Sequence, residues 1–402
     1  MGVTQEAKSV TILALGFGLV GIDRFLISTM FPVIAKDLQL GYSDIGIITG
    51  ALAIAWGMAA LFMGNLSDRI GRRSVLVGSL IVFSLLIGAS GLAAGLAGLV
   101  MVRVIMGLAD GAFTPASISA TMEASAPSRH GRNIGIQQMM LPLFGLGLAP
   151  LLVGAMLHVI DWRWIFALFA IPGLLIAWGT VRIIPSEPVQ RNGPQQTLLA
   201  DWKAVLSYSN IRVQMLLMLC WLTCLVTTSA FLPSYLVDHL KLDFGQMGAV
   251  MSAIGFGATA GTLLLPWLSD KIGRKPVMIL SAVGSCAMLI LLSMTGAQVS
   301  LLFAALFMVN FFNFAALTLT VGPLCSETVP AHLIATASGV VIAVGELFGG
   351  GLAPIVAGVF AERFGINHLL WLPIIGNGCA ILLCMLLQET HSTVQEQQKS
   401  TV

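Results

Sequence analysis

The chain of 402 residues is 57% hydrophobic and 9% charged, against roughly a quarter charged in a soluble globular protein, which excludes a water-soluble globule. A membrane helix needs about 20 apolar residues, so this length holds twelve of them with loops to spare. The net charge of +2 gives no electrostatic reason to expect nucleic acid as a partner.

In chain order, apolar runs bounded by charged or turn residues fall at 10–35, 44–65, 74–93, 96–121, 132–157, 163–184, 209–236, 245–268, 276–295, 298–322, 333–359 and 367–388. The expected structure is therefore an all-α integral membrane protein with twelve transmembrane helices, embedded in a lipid bilayer. The first run is not a cleavable signal peptide, because Asp23 and Arg24 interrupt it. With the N-terminus inside, fourteen of the 20 Lys and Arg residues fall on cytoplasmic segments and four on the opposite side, the asymmetry expected of a chain whose two termini both face the cytoplasm. The six cysteines lie in or beside apolar runs without metal-type spacing and read as small packing residues.

The longest polar stretch, 185–208, carries three prolines at mid-chain and reads as a cytoplasmic linker between an N-terminal six-helix bundle, 1–184, and a C-terminal one, 209–402, that ends in a short tail. An internal repeat supports the division. Gly64-Asn-Leu-Ser-Asp68-Arg69-Ile-Gly71-Arg72-Arg73 recurs 202 residues later as Pro266-Trp-Leu-Ser-Asp270-Lys271-Ile-Gly273-Arg274-Lys275, and Gly147-Leu-Ala-Pro150 recurs 204 residues later as Gly351-Leu-Ala-Pro354. Two parallel halves with chemistry between them describe a transporter better than an enzyme, and no nucleotide loop, metal-ligand cluster or nucleophile–base set is visible.

At these residues the sequence resembles the major facilitator superfamily, over nearly the whole chain. The resemblance implies two six-helix bundles that rock to expose a central site alternately to each side, a monomer, and no cofactor beyond the proton gradient. It also implies that Gly64, Asp68 and Arg72 in the first loop motif, and Asp270 and Arg274 in the second, lock the cytoplasmic side, with Glu123 as a gate partner.

A charge within the hydrocarbon region is costly unless paired or wet, so each one is a functional candidate. Asp23, Arg24, Arg103, Asp110 and Glu346 are of this kind. Asp23 and Arg24 are adjacent and so turned about 100° apart, free to serve different partners. Arg103 and Asp110 lie two turns apart on one helix face, with Gly107 between them reducing its bulk. Arginine offers a planar donor fork to a carboxylate and keeps its charge, whereas a partly desolvated carboxyl readily holds a proton. One group binds an anion and the other carries a proton. An alternative reading makes Asp23–Arg103 or Arg24–Asp110 buried ion pairs that only hold the first half together.

This set looks like the anion:cation symporter branch of the superfamily, with Asp rather than Glu at 110. The branch implies import of an organic anion, such as a sugar acid, together with protons, with Arg24 and Arg103 on the substrate carboxylate and Asp23 and Asp110 as the protonatable pair. Glu346, among glycines in the eleventh run, is a second proton site, a partner for a substrate hydroxyl, or a neutral carboxyl between helices. Gln137, Asn310 and Asn313 are candidates for substrate hydroxyls, although buried amides also glue helices together. The expected function is proton-coupled import of a small organic anion, a sugar acid, hydroxy acid or aromatic acid, in a cell membrane of bacterial inner-membrane type. The runner-up, a proton-coupled exporter, rests on Gly145-x-x-x-Ala149-Pro150 in the fifth run, a degenerate form of the antiporter signature. Against it, Gly349-x-x-x-Ala353-Pro354 repeats the pattern in the second half.

Overall fold

A computed structural model describes residues 3–185, 198–330 and 333–389, with backbone alone for 3–4, 60–70, 127, 198–200 and 335. Twelve helices among the described residues are long and apolar enough to cross a membrane: Gln5–Leu38, Tyr42–Ala59, Arg72–Ser90, Leu96–Ala124, His130–Met156, Trp162–Ile183, Ser209–His239, Phe244–Ile272, Arg274–Met294, Val299–Thr328, Thr336–Phe364 and Ile366–Leu386. They are called spans one to twelve below. Span two is part of a longer helix, Tyr42–Ile70. Spans two and three are separated by Gly71 at φ 89°, and spans eight and nine by Gly273 at φ 101°. A side chain is disfavoured in that left-handed region, so the glycine of each loop motif is what turns the chain back into the membrane.

The halves repeat one packing scheme. Span one packs on five and six, two on four, and three on four and six; in the second half seven packs on eleven and twelve, eight on ten, and nine on ten and twelve. Spans one and seven are the most enclosed, while three, six, nine and twelve turn residues such as Leu85, Trp164, Trp178, Met294 and Leu382 outward. Apolar surface of that extent is satisfied by lipid rather than water.

Spans five and eleven each contain a wide, π-type turn, Leu143–Leu148 and Gly345–Leu352, immediately before the repeated Ala-Pro pair. Proline lacks an N–H and its ring crowds the carbonyl four residues back, which Leu146 and Gly350 supply. Opening the turn by one residue relieves both effects.

Only part of the expected linker is among the described residues. Leu198–Ser207 is a helix, whereas 186–197 lies outside the described residues. Span ten also continues past a break at Gly322 to Thr328.

The halves meet along two seams, spans two with eleven and five with eight, and also through spans one and seven. The seams are glycine-lined: a Cβ on Gly46 would lie 2.3 Å from the Pro354 carbonyl oxygen, and one on Gly154 would lie 2.6 Å from that of Phe244. Both contacts lie near the helix ends remote from the side where span one begins. That far side is shut.

Candidate functional site

At the middle of span one the chain runs hard against span five, where a Cβ on Gly21 would stand 2.2 Å from the Leu141 carbonyl oxygen and one on Gly145 would stand 2.3 Å from that of Gly21. Asp23 and Arg24 follow and, as their offset on the helix predicts, face different partners. The Asp23 side chain meets span four. Arg103 Nη1 donates to the Asp23 backbone carbonyl at 2.6 Å and lies 3.8 Å from its Oδ1. The Asp110 carboxyl neighbours that of Asp23. All three side chains are buried, and neither carboxylate accepts a hydrogen bond from a donor among the described residues.

Gly107 does not open this face to a cavity. A Cβ there would lie 2.4 Å from the Leu52 carbonyl oxygen, so the glycine seats span four on span two, and Arg103 and Asp110 are enclosed by packed helices.

Arg24 crosses to the other half. Its Nη1 and Nη2 donate to Glu346 Oε1 and Oε2 at 3.0 and 2.6 Å, a forked pair with both side chains less than a tenth exposed. The guanidinium lies over the Trp56 ring, 4.5 Å from its centroid, where the ring face favours a cation. Glycines make room for the pair: a Cβ on Gly350 would stand 2.7 Å from Glu346 Oε2, and one on Gly57 would stand 3.3 Å from Glu346 Cβ. Beside the pair, Arg24, Ser28, Thr49, Arg103, Val226 and Ser229 line a cavity of about 10 Å³, room for one water.

The three candidate amides are buried. Asn310 donates to Leu306 on its own helix at 3.0 Å and Asn313 to the Trp221 carbonyl at 3.2 Å, each leaving its side-chain oxygen without a partner. Neither amide atom of Gln137 has a hydrogen-bond partner among the described residues. None of the three lines the cavity beside Arg24.

The gating residues with described side chains make contacts inside their own halves. Arg72 pairs with Glu123 within the first half. Arg274 pairs with Asp270 at 2.5 Å and Glu327 at 2.8 Å, and donates to Ser269 at 2.6 Å, all within the second. The reason is local: each arginine begins a helix beside the end of its own neighbour. Gly64 and Asp68 fall where the backbone alone is described, so the Asp68 side chain and the surroundings of Gly64 lie outside what is described. On this same side Arg129 grips Glu6 through two hydrogen bonds of 2.9 and 2.5 Å, beside a cavity of about 270 Å³ that Arg132 and Asn133 also line.

The cross-half contacts of the far side were not anticipated. Tyr42 donates to Asp238 at 3.3 Å, the Ser43 backbone N–H to Glu362 at 3.0 Å, and Lys36 lies 3.9 Å from Asp238. The repeat offers one signal, since Asp37 and Asp238 stand at equivalent ends of spans one and seven.

The family model described as Major Facilitator Superfamily matches residues 13–347 and 227–401. A probable 4-methylmuconolactone transporter of Cupriavidus pinatubonensis is 26% identical, over 98% of this chain and 93% of its own. A 3-(3-hydroxy-phenyl)propionate transporter of Escherichia coli is 28% identical, over 81% and 79%, and a hexuronate transporter of Bacillus subtilis is 26% identical, over 64% of each. Among solved structures, a bacterial homologue of the lysosomal transporter Spinster, inward-facing and occupied, aligns with a TM-score of 0.77 at 17% identity, covering 94% of this chain and 95% of that one. The nucleoside transporter NupG aligns with a TM-score of 0.75 at 18% identity, covering 96% and 98%. At such identities the structures speak for the fold.

Proposed function

Since the chain belongs to the Major Facilitator Superfamily and is a multi-pass membrane transporter rather than an enzyme, we propose that it imports a small organic anion together with protons, by alternating access, across a bacterial inner membrane. The observation that carries this reading is the Arg24–Glu346 pair: a buried guanidinium fork at the junction of the halves already holds a carboxylate in forked geometry. A substrate carboxylate uses the same donors, and Arg103 stands on the same small cavity. The printed activities of three relatives, a methylmuconolactone, a hydroxyphenylpropionate and a hexuronate carrier, support an organic acid.

Asp23, Asp110 and Glu346 form the proton-carrying set. Two carboxylates side by side in a dry interior do not both stay ionised, so one proton is shared between Asp23 and Asp110. With Arg24 and Arg103 charged and Glu346 ionised, the empty interior is then neutral. An entering anion needs one further proton to keep it so. Gln137, Asn310 and Asn313 supply acceptors or donors to substrate hydroxyls when the halves part. The concentration of basic residues on the side where span one begins supports reading that side as cytoplasmic, and with it the closed far side supports reading this as the inward-facing half of the cycle. The carrier works as a monomer with the proton gradient as its energy source.

The feature behind an exporter has a packing explanation in both halves: Gly145 seats span five on Gly21, and Gly349 seats span eleven on span seven, where its Cβ would lie 2.5 Å from the Leu219 carbonyl oxygen. Proteoliposomes containing a pH dye test the reading directly. External sugar acids, hydroxy acids and aromatic acids are added in turn. Acidification of the lumen by one class, absent from protein-free vesicles, is the expected result; no acidification by any acid, with a cationic dye moving against a proton gradient, refutes it.

A further inference from the structure

Glu346 occupies the position in which an anion carrier is expected to hold its substrate. Its two oxygens take both donors of the Arg24 fork, and the space left beside the pair admits about one water. No organic acid reaches Arg24 while that contact stands. Removal of the glutamate is mechanically possible, because it sits in the wide turn Gly345–Leu352 with Gly349, Gly350 and Gly351 on the same segment. Arg24, in contrast, is held from the other side by the Trp56 ring. The fixed partner is therefore the arginine and the movable one the glutamate.

We infer that Glu346 is a tethered stand-in for the substrate: in the empty carrier it fills the carboxylate subsite on Arg24, the incoming organic anion displaces it, and the displaced side chain takes up the proton that travels with the anion. The inference rests on the organic-anion reading above and assigns within it which carboxyl loads.

The surroundings show why a proton must follow. Span two presents Ala53, Trp56 and Gly57 to the pair, and span seven packs Met218 and Leu222 against Gly345 at the start of the same turn. The charged side chains on the neighbouring elements are Asp23 beside Arg24 on span one, and Arg103 and Asp110 on span four, and these three are engaged with one another. The further cation there among the described residues, Arg103, lines the same cavity but already faces Asp23, so a glutamate leaving Arg24 gains no free counter-charge. An unpaired carboxylate in an apolar interior is neutralised rather than tolerated. The exchange balances: Glu346 carboxylate gives up two hydrogen bonds from Arg24 and gains one proton, the substrate carboxylate gains the two hydrogen bonds, and the net charge of the interior is unchanged.

Two consequences separate this arrangement from a merely structural ion pair. A resident competitor weakens apparent affinity in proportion to its occupancy, so its removal tightens binding. Its removal also abolishes the proton taken up on binding. The test is titration calorimetry on the purified protein in two buffers of different ionisation enthalpy, with 3-(3-hydroxyphenyl)propionate and D-galacturonate as probes. The wild-type chain is expected to take up about one proton per anion bound. Glu346→Gln should bind the same acid about tenfold more tightly and take up none. Glu346→Asp, which keeps a titratable group on a shorter arm, should bind more tightly than wild type yet still take up a proton, and it decides the matter if the glutamine variant does not fold. Wild-type binding with unchanged affinity and unchanged proton uptake in Glu346→Gln overturns the assignment and leaves the organic-anion reading standing, as does loss of binding in both variants. Failure of both acids to bind any form of the protein, in a chain that also acidifies no vesicle with any acid, overturns that reading and the assignment with it.

Discussion

Substituting Gly255 by alanine places a Cβ 2.1 Å from Gly147 N, 2.3 Å from the Pro142 carbonyl oxygen and 2.5 Å from Gly147 Cα. All three are backbone atoms of the opposite half, so no rotamer change relieves the overlap, and spans five and eight must part by about 1 Å to restore ordinary contact distances near 3.5 Å. Overpacking on this scale costs about 1–3 kcal/mol. The cost falls on the state in which spans five and eight pack as they do here, with the far side shut, and a ratio of states changes tenfold for about 1.4 kcal/mol. Gly255→Ala therefore shifts the carrier towards the far-side-open form by about 5- to 150-fold. A cysteine at Ser43, whose Cα lies where a Cβ on Gly358 would touch it, reports the change when treated with a membrane-impermeant maleimide in a Cys379→Ser background. The labelling rate should rise by that factor in Gly255→Ala. It should not rise in Gly378→Ala, where an added Cβ meets nothing within 4 Å. Equal labelling and an equal melting midpoint in Gly255→Ala and the parent would show that this seam does not close the far side.

Removing Arg24 should cost about 3–5 kcal/mol of stability, because Glu346 is left buried and charged, and should abolish anion binding. Arg24→Ala/Glu346→Gln should recover the melting temperature but not the binding, which separates the two roles in one pair of titrations. Asp110→Asn offers Asp23 an N–H in place of the shared proton, so binding and the proton count per anion should both persist; loss of the proton would make that pair the coupling site. Arg274→Met gives up its buried contact with Glu327 and should lower stability by about 2–4 kcal/mol, whereas Arg72→Met, whose pair with Glu123 is about a third exposed, should cost about 1 kcal/mol or less. Thermal melts of the two variants side by side check the asymmetry.

The spans were legible because each is an unbroken apolar run between charges. What hydropathy does not carry was missed: the polar start of span one down to Val3, the tail of span ten beyond Gly322, and the linker helix Leu198–Ser207, all of which lie where water competes and composition loses its contrast. In the site, the five interior charges announced themselves through their cost. Their pairing did not. Helical geometry separates Asp23 from Arg24 and aligns Arg103 with Asp110, so the Asp23–Arg103 contact was among the readings weighed. Arg24–Glu346 joins residues 322 apart in sequence, and no periodicity spans that distance. Gly107 was open for a related reason: a missing side chain on a helix can face a cavity or a neighbouring backbone, and only the position of Leu52 decides between them. The far-side contacts of Tyr42, Asp238 and Glu362 left little trace beyond the like placing of Asp37 and Asp238 at the ends of spans one and seven, since polar residues at helix ends cost nothing.

The duplication behind the chain copied the scaffold and not the charges. At the 202-residue offset, Leu225 and Val226 stand where the first half has Asp23 and Arg24, and Ala305 and Phe312 where it has Arg103 and Asp110. Val226 even lines the cavity beside Arg24, so the arginine faces its own apolar counterpart, and the second half answers it with Glu346. This division gives a rule for coupling. With the pair made, or with an anion on Arg24 and a proton on Glu346, every buried charge is compensated and the halves rock freely. An anion without a proton leaves Glu346 charged and unpaired; a proton without an anion leaves Arg24 so. Each half-loaded state carries a penalty of about 3–5 kcal/mol, which suppresses slippage by about two to three orders of magnitude. Glu346→Gln makes the empty state resemble one of the penalised ones, since Arg24 then has no carboxylate unless substrate supplies it. The variant should therefore still exchange labelled acid between the two sides of a proteoliposome while net uptake falls by about a hundredfold or more. Exchange and net uptake declining together would mean that the pair only braces the halves.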